Sequence, residues 1–289
     1  MMYDVKPHEY SRVRKLFEQL SEENMSVVVA LENNYPSRVF VNNLESPTSG
    51  FIYLGRMTFG FSGRSDNERF NAQIKDIIVT ELLPYLKTEH KVKEIIVRYD
   101  VEWKDRISTI LNGLVEHQLG NYIFRDLKYN YSNHKLPEGY EYAAIDSDFL
   151  NKKHLKDFYI VDRWVKGCYL NTEDYLSRGF GFSIIHEKEA IASTCMCNYI
   201  SKDRKRCEIG IITAEEHRKK GLAKNLVSYI VSHCLDLNIQ RIDWQSRLNN
   251  IGSIKTAEAV GFELDKKYLG YVVPIADKNE EKKEKKEIG

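Results

Sequence analysis

The stretch from Cys207 to Leu226 constrains this chain more than any other. Its apolar start, Cys207 to Thr213, predicts a strand. A short polar turn follows, Ala214 to His217. Arg218-Lys219-Lys220-Gly221-Leu222-Ala223 then opens a helix. Glycine at 221 admits a positive φ and a close approach by a ligand. The first amides of such a helix have no partner inside it and carry the positive end of its dipole. With three cations beside them, they make a place for a diphosphate. Two common nucleotide loops are excluded. No Gly-Lys-Ser/Thr ends a P-loop here, and the dinucleotide fingerprint needs three glycines in register where only Gly221 stands.

The rest of the composition narrows the field. A chain of 289 residues suggests two modest domains or one large one. Its net charge of +1 gives no basic excess for nucleic acid. The N-terminus, Met1-Met2-Tyr3-Asp4-Val5-Lys6-Pro7, lacks the apolar core of a signal peptide. No run of about eighteen apolar residues is present, so no membrane span is expected. The five cysteines (168, 195, 197, 207 and 234) lack CxxC spacing for zinc. They read as reduced, small core residues of a cytoplasmic protein, and no metal is expected.

Periodicity outlines alternating helices and strands, an α/β chain. In the first half it predicts helices over 7–20, 70–86 and 103–117. It predicts strands over 38–41, 51–54, 94–98 and 121–131, with 56–65 as an irregular loop around Gly60 and Gly63. A polar stretch with Pro137 and Gly139 suggests a boundary, giving domains 1–133 and 134–276. The second half reads as strand 140–145, helix 148–158, a loop or short helix 162–169 and a helical turn at Thr172, its candidate cap. A hairpin of 180–186 and 190–200 precedes strand 206–213. Helix 221–237, strand 241–246, helix 250–260 ended by Gly261, and strand 262–274 complete it. Residues 277–289, mostly Lys and Glu, read as a disordered tail.

Three landmarks in this half stand at matching distances. Glu208 lies ten residues before Arg218, Arg218-x-x-Gly221-x-Ala223 follows, and Asn250-x-x-Ser253 leads to Gly261-Phe262. This set, over roughly residues 137–274, resembles the GNAT superfamily of N-acetyltransferases. It is closest to the two-part bacterial family typified by the zwittermicin A resistance protein. Gly181-Phe182, Glu208 to Thr213, Trp244 and Asn249-Asn250 also fit that family. Phe51-Ile52-Tyr53-Leu54-Gly55 and Asn67-x-x-Phe70 resemble its leading domain, which implies a smaller α/β half, a degenerate GNAT-like relative of the catalytic one.

The resemblance implies a central mixed sheet flanked by helices, and transfer of an acetyl group from acetyl-CoA to a small-molecule amine by direct attack in a ternary complex. It assigns Ile211, Ile212, Thr213, Arg218, Lys219, Lys220, Gly221, Leu222, Ala223, Asn250 and Ser253 to the cofactor. Backbone amides near 211–213 would meet the thioester oxygen. Asn249 or Asn250 also reads as a helix cap. Glu208 is the candidate base, since a carboxylate among apolar neighbours gains proton affinity. The other reading is a Glu on the strand's wet face, and alternation does not say which face is wet. Ala257 stands where the family has a tyrosine acid. Tyr268 or Tyr271 on the last strand, or water, would take that part. This gap keeps open a coenzyme A-binding module without catalysis. Trp164, Tyr169 and Trp244 are pocket candidates. Neither the acceptor nor the oligomeric state has a readable code.

Overall fold

We describe the protein in a computed structural model that covers residues 2–55, 57–88, 92–125 and 135–275. The strands and main helices in chain order are β1 (Tyr3–Val5), β2 (Ser37–Val41), β3 (Ser49–Leu54), β4 (Thr58–Gly63), α1 (Glu68–Ile77), β5 (Glu94–Tyr99), β6 (Val115–Phe124) and β7 (Tyr140–Ala144). There follow α2 (Phe158–Cys168), α3 (Thr172–Arg178), β8 (Gly181–His186), β9 (Ala190–Ile200), β10 (Arg206–Thr213), α4 (Leu222–Asp236), β11 (Arg241–Arg247), α5 (Ile251–Val260) and β12 (Phe262–Pro274). The chain packs as two compact units: 1–118 with 269–289, and 119–268.

In the first unit the order is β1-β2-β3-β4-β5-β12. Pairing is antiparallel as far as β4, parallel between β4 and β5, and antiparallel between β5 and residues 271–274 of β12. Phe70 and Ile74 of α1 pack with Phe51, Phe59, Phe61, Val97 and Trp103. In the second unit the order β7-β8-β9-β10-β11-β6 repeats the same directions: antiparallel to β10, parallel from β10 to β11, antiparallel from β11 to β6. Each unit thus takes one strand from the distant part of the chain. Leu222, Leu226, Ile230 and Cys234 of α4 bury one stripe against Cys207, Ile209, Trp244 and Ala257. Val161 and Val165 of α2 and Tyr175 of α3 pack with Ile185, Ile191 and Met196.

Several sequence expectations shift. The irregular loop expected over 56–65 holds strand β4, because Gly60 is a close approach rather than a turn. A Cβ there would lie 2.6 Å from Ile52 Cγ2. Residues 7–23 form a string of short 3₁₀ and α segments instead of one first helix over 7–20, and a second helix, expected over 25–32, runs Met25–Leu31. The helix expected over 103–117 is cut to Ile107–Ile110, and β6 begins at Val115. Trp164 lies inside the eleven-residue helix α2, where a loop or short helix was expected. The cap of α3 is Asn171, whose side chain accepts from Asp174 N, and not Thr172. The helix from α1 continues through a π segment, Ile78–Leu82, to Thr88. The 133/134 boundary, the end of the strand expected over 121–131 and the 277–289 tail lie outside the described residues.

Candidate active site

Strands β10 and β11 pair over three rungs: Arg206 with Arg241, Cys207 with Ile242, Glu208 with Asp243. β10 then runs on to Thr213 and β11 to Arg247 with no further rung between them among the described residues. Between them opens a cleft of about 310 Å³ whose lining includes Glu208, Ile211, Ile212, Asn250 and Ser253. The ladder on the other side of β10 tells which amides face it. Ala214 N donates to Ala192 O at 3.0 Å, toward β9. Antiparallel pairing alternates, so Gly210 and Ile212 also turn to β9, and Ile211 and Thr213 turn to the gap. Two side-chain bonds agree. Ser193 Oγ of β9 donates to Ile212 O (3.3 Å), while Arg218 Nε donates to Thr213 O (3.2 Å).

Of the two faces left open for Glu208, the structure gives the buried one, 7% exposed. Its side chain shares a face with Gly210 and Ile212, opposite the one that Cys207 and Ile209 bury under α4. Across from it β9 carries an extra residue: Glu208 opposes Tyr199, Ile209 opposes Cys197, and Asn198 bulges between. Asn198 Nδ2 donates to Glu208 Oε1 at 3.1 Å, and Trp164 Nε1 donates to Asn198 Oδ1 at 2.8 Å. The indole lies against the strand at Gly210, where a Cβ would come 2.7 Å from Trp164 Cζ2. Asp243, the rung partner of Glu208, is a buried carboxylate. Arg206 Nε (2.7 Å), Arg241 Nη2 (2.9 Å) and Asn121 Nδ2 (3.2 Å) hold it, so its charge is compensated locally.

At the end of β10 a single 3₁₀ turn, Glu215–His217, leads into the basic turn. Lys219 and Gly221 both take positive φ, 60° and 77°. Gly221 is the N-cap of α4 and has no side chain to satisfy the helix amides. The first helical bond runs from Asn225 N to Gly221 O (3.1 Å), so the amides before it lie outside the helical ladder. Arg218, Lys219 and Lys220 are exposed around them. Beneath them His217 is buried, and its Nδ1 shares a hydrogen bond with Tyr140 Oη at 2.9 Å, while Tyr140 Oη accepts from Lys220 Nζ at 2.8 Å. Burial first, then the charges of Lys220 and His186, hold His217 below the usual imidazole value. That favours the neutral ring.

Cofactor-loop candidates divide by role. Leu222 is buried in the core and offers only its amide, while Ala223 is half-buried beside it. Asn250 caps α5, accepting from Ser253 N at 3.2 Å, and Ser253 Oγ accepts from Trp244 Nε1 at 3.0 Å. Both therefore brace the cleft wall that they line. Trp164 and Trp244 line the cleft as well, but Tyr169 is buried away from it, its hydroxyl on Cys197 O (2.7 Å). The structure does not bring Tyr268 to the cleft. In the sheet order β6 and β11 stand between β12 and β10, a separation of about 14 Å at ordinary strand spacing. Ala257 is fully buried, and no tyrosine lines the cleft among the described residues. Among the described residues no group of three His, Cys, Asp or Glu side chains is arranged to hold a metal ion.

Two features escaped the sequence. Gly210 inside Ile209-Gly210-Ile211 was the one signal of a close approach. Nothing in the sequence marks the bulge at Asn198.

The family model for GNAT acetyltransferases matches residues 14–271. An uncharacterized N-acetyltransferase, YdfB of Bacillus subtilis strain 168, is 22% identical over 276 residues, covering 94% of this chain and 98% of that protein. A GCN5-related N-acetyltransferase-like protein from Streptococcus suis 89/1591 superposes with a TM-score of 0.67 at 23% identity, over 91% of this chain and 98% of its own. A tandem GNAT protein from the clavulanic acid biosynthesis pathway gives 0.57 at 10% identity, over 96% and 99%. At these identities the structural likenesses concern the fold.

Proposed function

The chain belongs to the GNAT acetyltransferase family, and from that premise we propose that it moves an acetyl group from acetyl-CoA to the amine of a small molecule, by direct attack in a ternary complex. One observation carries this reading: the gap between β10 and β11 runs straight into a basic turn whose helix is headed by an uncapped glycine. Those parts suit a long carrier with a diphosphate. The amides before Asn225, with Arg218, Lys219 and Lys220, would hold the diphosphate. The amides of Ile211 and Thr213 would hydrogen-bond the carrier's arm and the thioester oxygen as charge gathers on it. A donor aimed there contributes about 3 kcal/mol. Acetyl-CoA supplies the activated acyl group.

Glu208 takes the proton of the incoming ammonium. It is buried in the cleft that Trp164 also lines, and a carboxylate there suits an amine arriving charged. No tyrosine lines the cleft among the described residues, so we assign protonation of the leaving thiolate to water. The cleft reaches solvent past the exposed Ile212, Arg247 and Asn250.

We read the first unit as a worn relative of the second that holds no coenzyme. There β4 and β5 stay together past their last paired rung. Asp100 N donates to Phe61 O (2.9 Å), and the Asp100 carboxylate accepts from Ser62 Oγ and Gly63 N (2.8 Å). Its helix start is filled too, since Asn67 Oδ1 accepts from Phe70 N at 3.0 Å. No described helix is long and apolar enough to cross a membrane. Five free thiols, four of them buried, support a reducing compartment, and we assign the cytoplasm.

Calorimetry with acetyl-CoA, then thiol release over a panel of amines, tests the reading. Saturable binding, lost with Arg218→Ala, and turnover lost with Glu208→Gln are expected. Failure to bind acetyl-CoA would remove the proposal.

A further inference from the structure

The polarity of two hydrogen bonds bears on the base itself. The indole Nε1 of Trp164 can only donate. Its bond to Asn198 Oδ1 therefore fixes which end of that amide faces α2. The other end, Nδ2, has only hydrogens to offer and meets Glu208 Oε1. A donor there favours the ionised carboxylate. An amide turned over would set oxygen against oxygen and favour the protonated acid. Resting on the reading of Glu208 as base, we propose that Trp164 and Asn198 are a positioning pair that holds Glu208 ionised and aimed before any amine arrives.

Local backbone geometry serves this chain of bonds twice. Asn198 is the bulged residue of β9, which directs its side chain at Glu208 and Trp164 together. Gly210 leaves room for the indole to lie on β10, since any Cβ would touch the ring. The other titratable and charged groups around Glu208 are Tyr199 across on β9, Asp243 across on β11 with Arg206 and Arg241 upon it, and Arg247 in the cleft lining. On α2, Asp162 and Lys166 pair with each other (2.7 Å) and Arg163 is exposed.

The test titrates the Glu208 carboxyl by carbon NMR in glutamate-labelled, coenzyme-free protein, with Glu208→Gln identifying the resonance. Asn198→Asp puts a like charge beside Glu208 and should raise its midpoint by about one pH unit or more. Trp164→Phe frees the amide to turn over and should raise it by less. The acid limb of kcat/KM should move by the same amounts, with the KM for acetyl-CoA unchanged. A side chain that served packing alone would lower activity at every pH and leave the limb in place. Midpoints unmoved in both variants overturn the proposal. Should Asn198→Asp not fold, the Trp164→Phe midpoint decides. Turnover surviving in Glu208→Gln would instead sink the base reading, and the titration tells the two failures apart.

Discussion

Glu208 and Asp243 face each other across the last rung that joins β10 to β11, and beyond them the two strands part. The two carboxylates differ in their surroundings. Asp243 is 1% exposed and gripped by two arginines, while Glu208 looks along the opening cleft with an amide and an indole behind it. Position in one ladder thus separates a carboxylate compensated by arginines from the one we propose as the base.

Gly210→Ala should act through Trp164. The new methyl would sit 2.7 Å from the ring, so the indole must shift and its bond to Asn198 is strained. We expect a loss of about tenfold to a hundredfold in kcat with coenzyme affinity kept, as for a base held about an ångström off its line. Tryptophan fluorescence should report a wetter indole. Unchanged kcat and unchanged emission would show that the ring's seat is immaterial.

Gly221→Ala isolates backbone conformation, because no atom lies within 4 Å of the position a Cβ would take. A φ of 77° is the only obstacle, and it disfavours an ordinary residue by about 1 kcal/mol. If the turn relaxes to relieve this, acetyl-CoA should bind about fivefold more weakly. Gly221→Asn should fall between alanine and wild type, since asparagine tolerates this region better. Isothermal titration of the three proteins gives the order directly.

In the first unit, Asp100→Ala strips Gly63 N of its side-chain acceptor and leaves Ser62 Oγ with Leu16 O (2.7 Å) alone. A buried donor left without a partner costs about 1–3 kcal/mol. Asn67→Ala removes a helix cap and should cost about 1 kcal/mol. Denaturant unfolding should show both losses. Acetyl-CoA affinity should stay at the wild-type level in each, and a drop in affinity would contradict the reading of this unit as a non-binding relative.

How much of this was legible beforehand varies with the physics involved. The turn at Gly221 was readable because its requirements are local: an apolar strand, three cations, a glycine and an apolar helical stripe all lie in one stretch. The order of the second half followed from the same periodicities. The first half misled where a tertiary contact overrode local preference. Gly60 looked like a loop residue but is the thin spot where Ile52 fits. The helix expected to reach His117 gives way to β6 at Val115, a strand whose residues 119–124 pair with β11 from far along the chain. No local pattern encodes that exchange. Tyr268 fails for the same reason, since its strand lies beyond β6. The relay through Asn198 depends on one bulged rung, and a bulge changes which residues meet without changing composition.

His217 gives the pH prediction. It is buried under the basic turn, hydrogen-bonded to Tyr140, and has Lys220, His186 and Lys156 close by, with Glu216 the opposing charge. Burial, first among these causes, lowers its pKa below the ordinary value of about 6.5. Above that value the folded and unfolded chains both carry a neutral ring, and His217 makes no pH-dependent difference. As the pH falls below it, the unfolded chain takes up a proton that the folded chain still refuses. Stability is therefore lost on acidification, from the ordinary value down to the lowered one. His233 is lowered by burial as well and adds to the same slope, so the contribution of His217 must be read as a difference. Between pH 7.5 and 5.5 the wild type should lose up to about 1 °C more in Tm than His217→Gln, the size expected for a fraction of a kcal/mol in a protein of this length. Parallel pH dependences of Tm for the two proteins would mean that folded His217 takes up its proton as readily as the unfolded chain does.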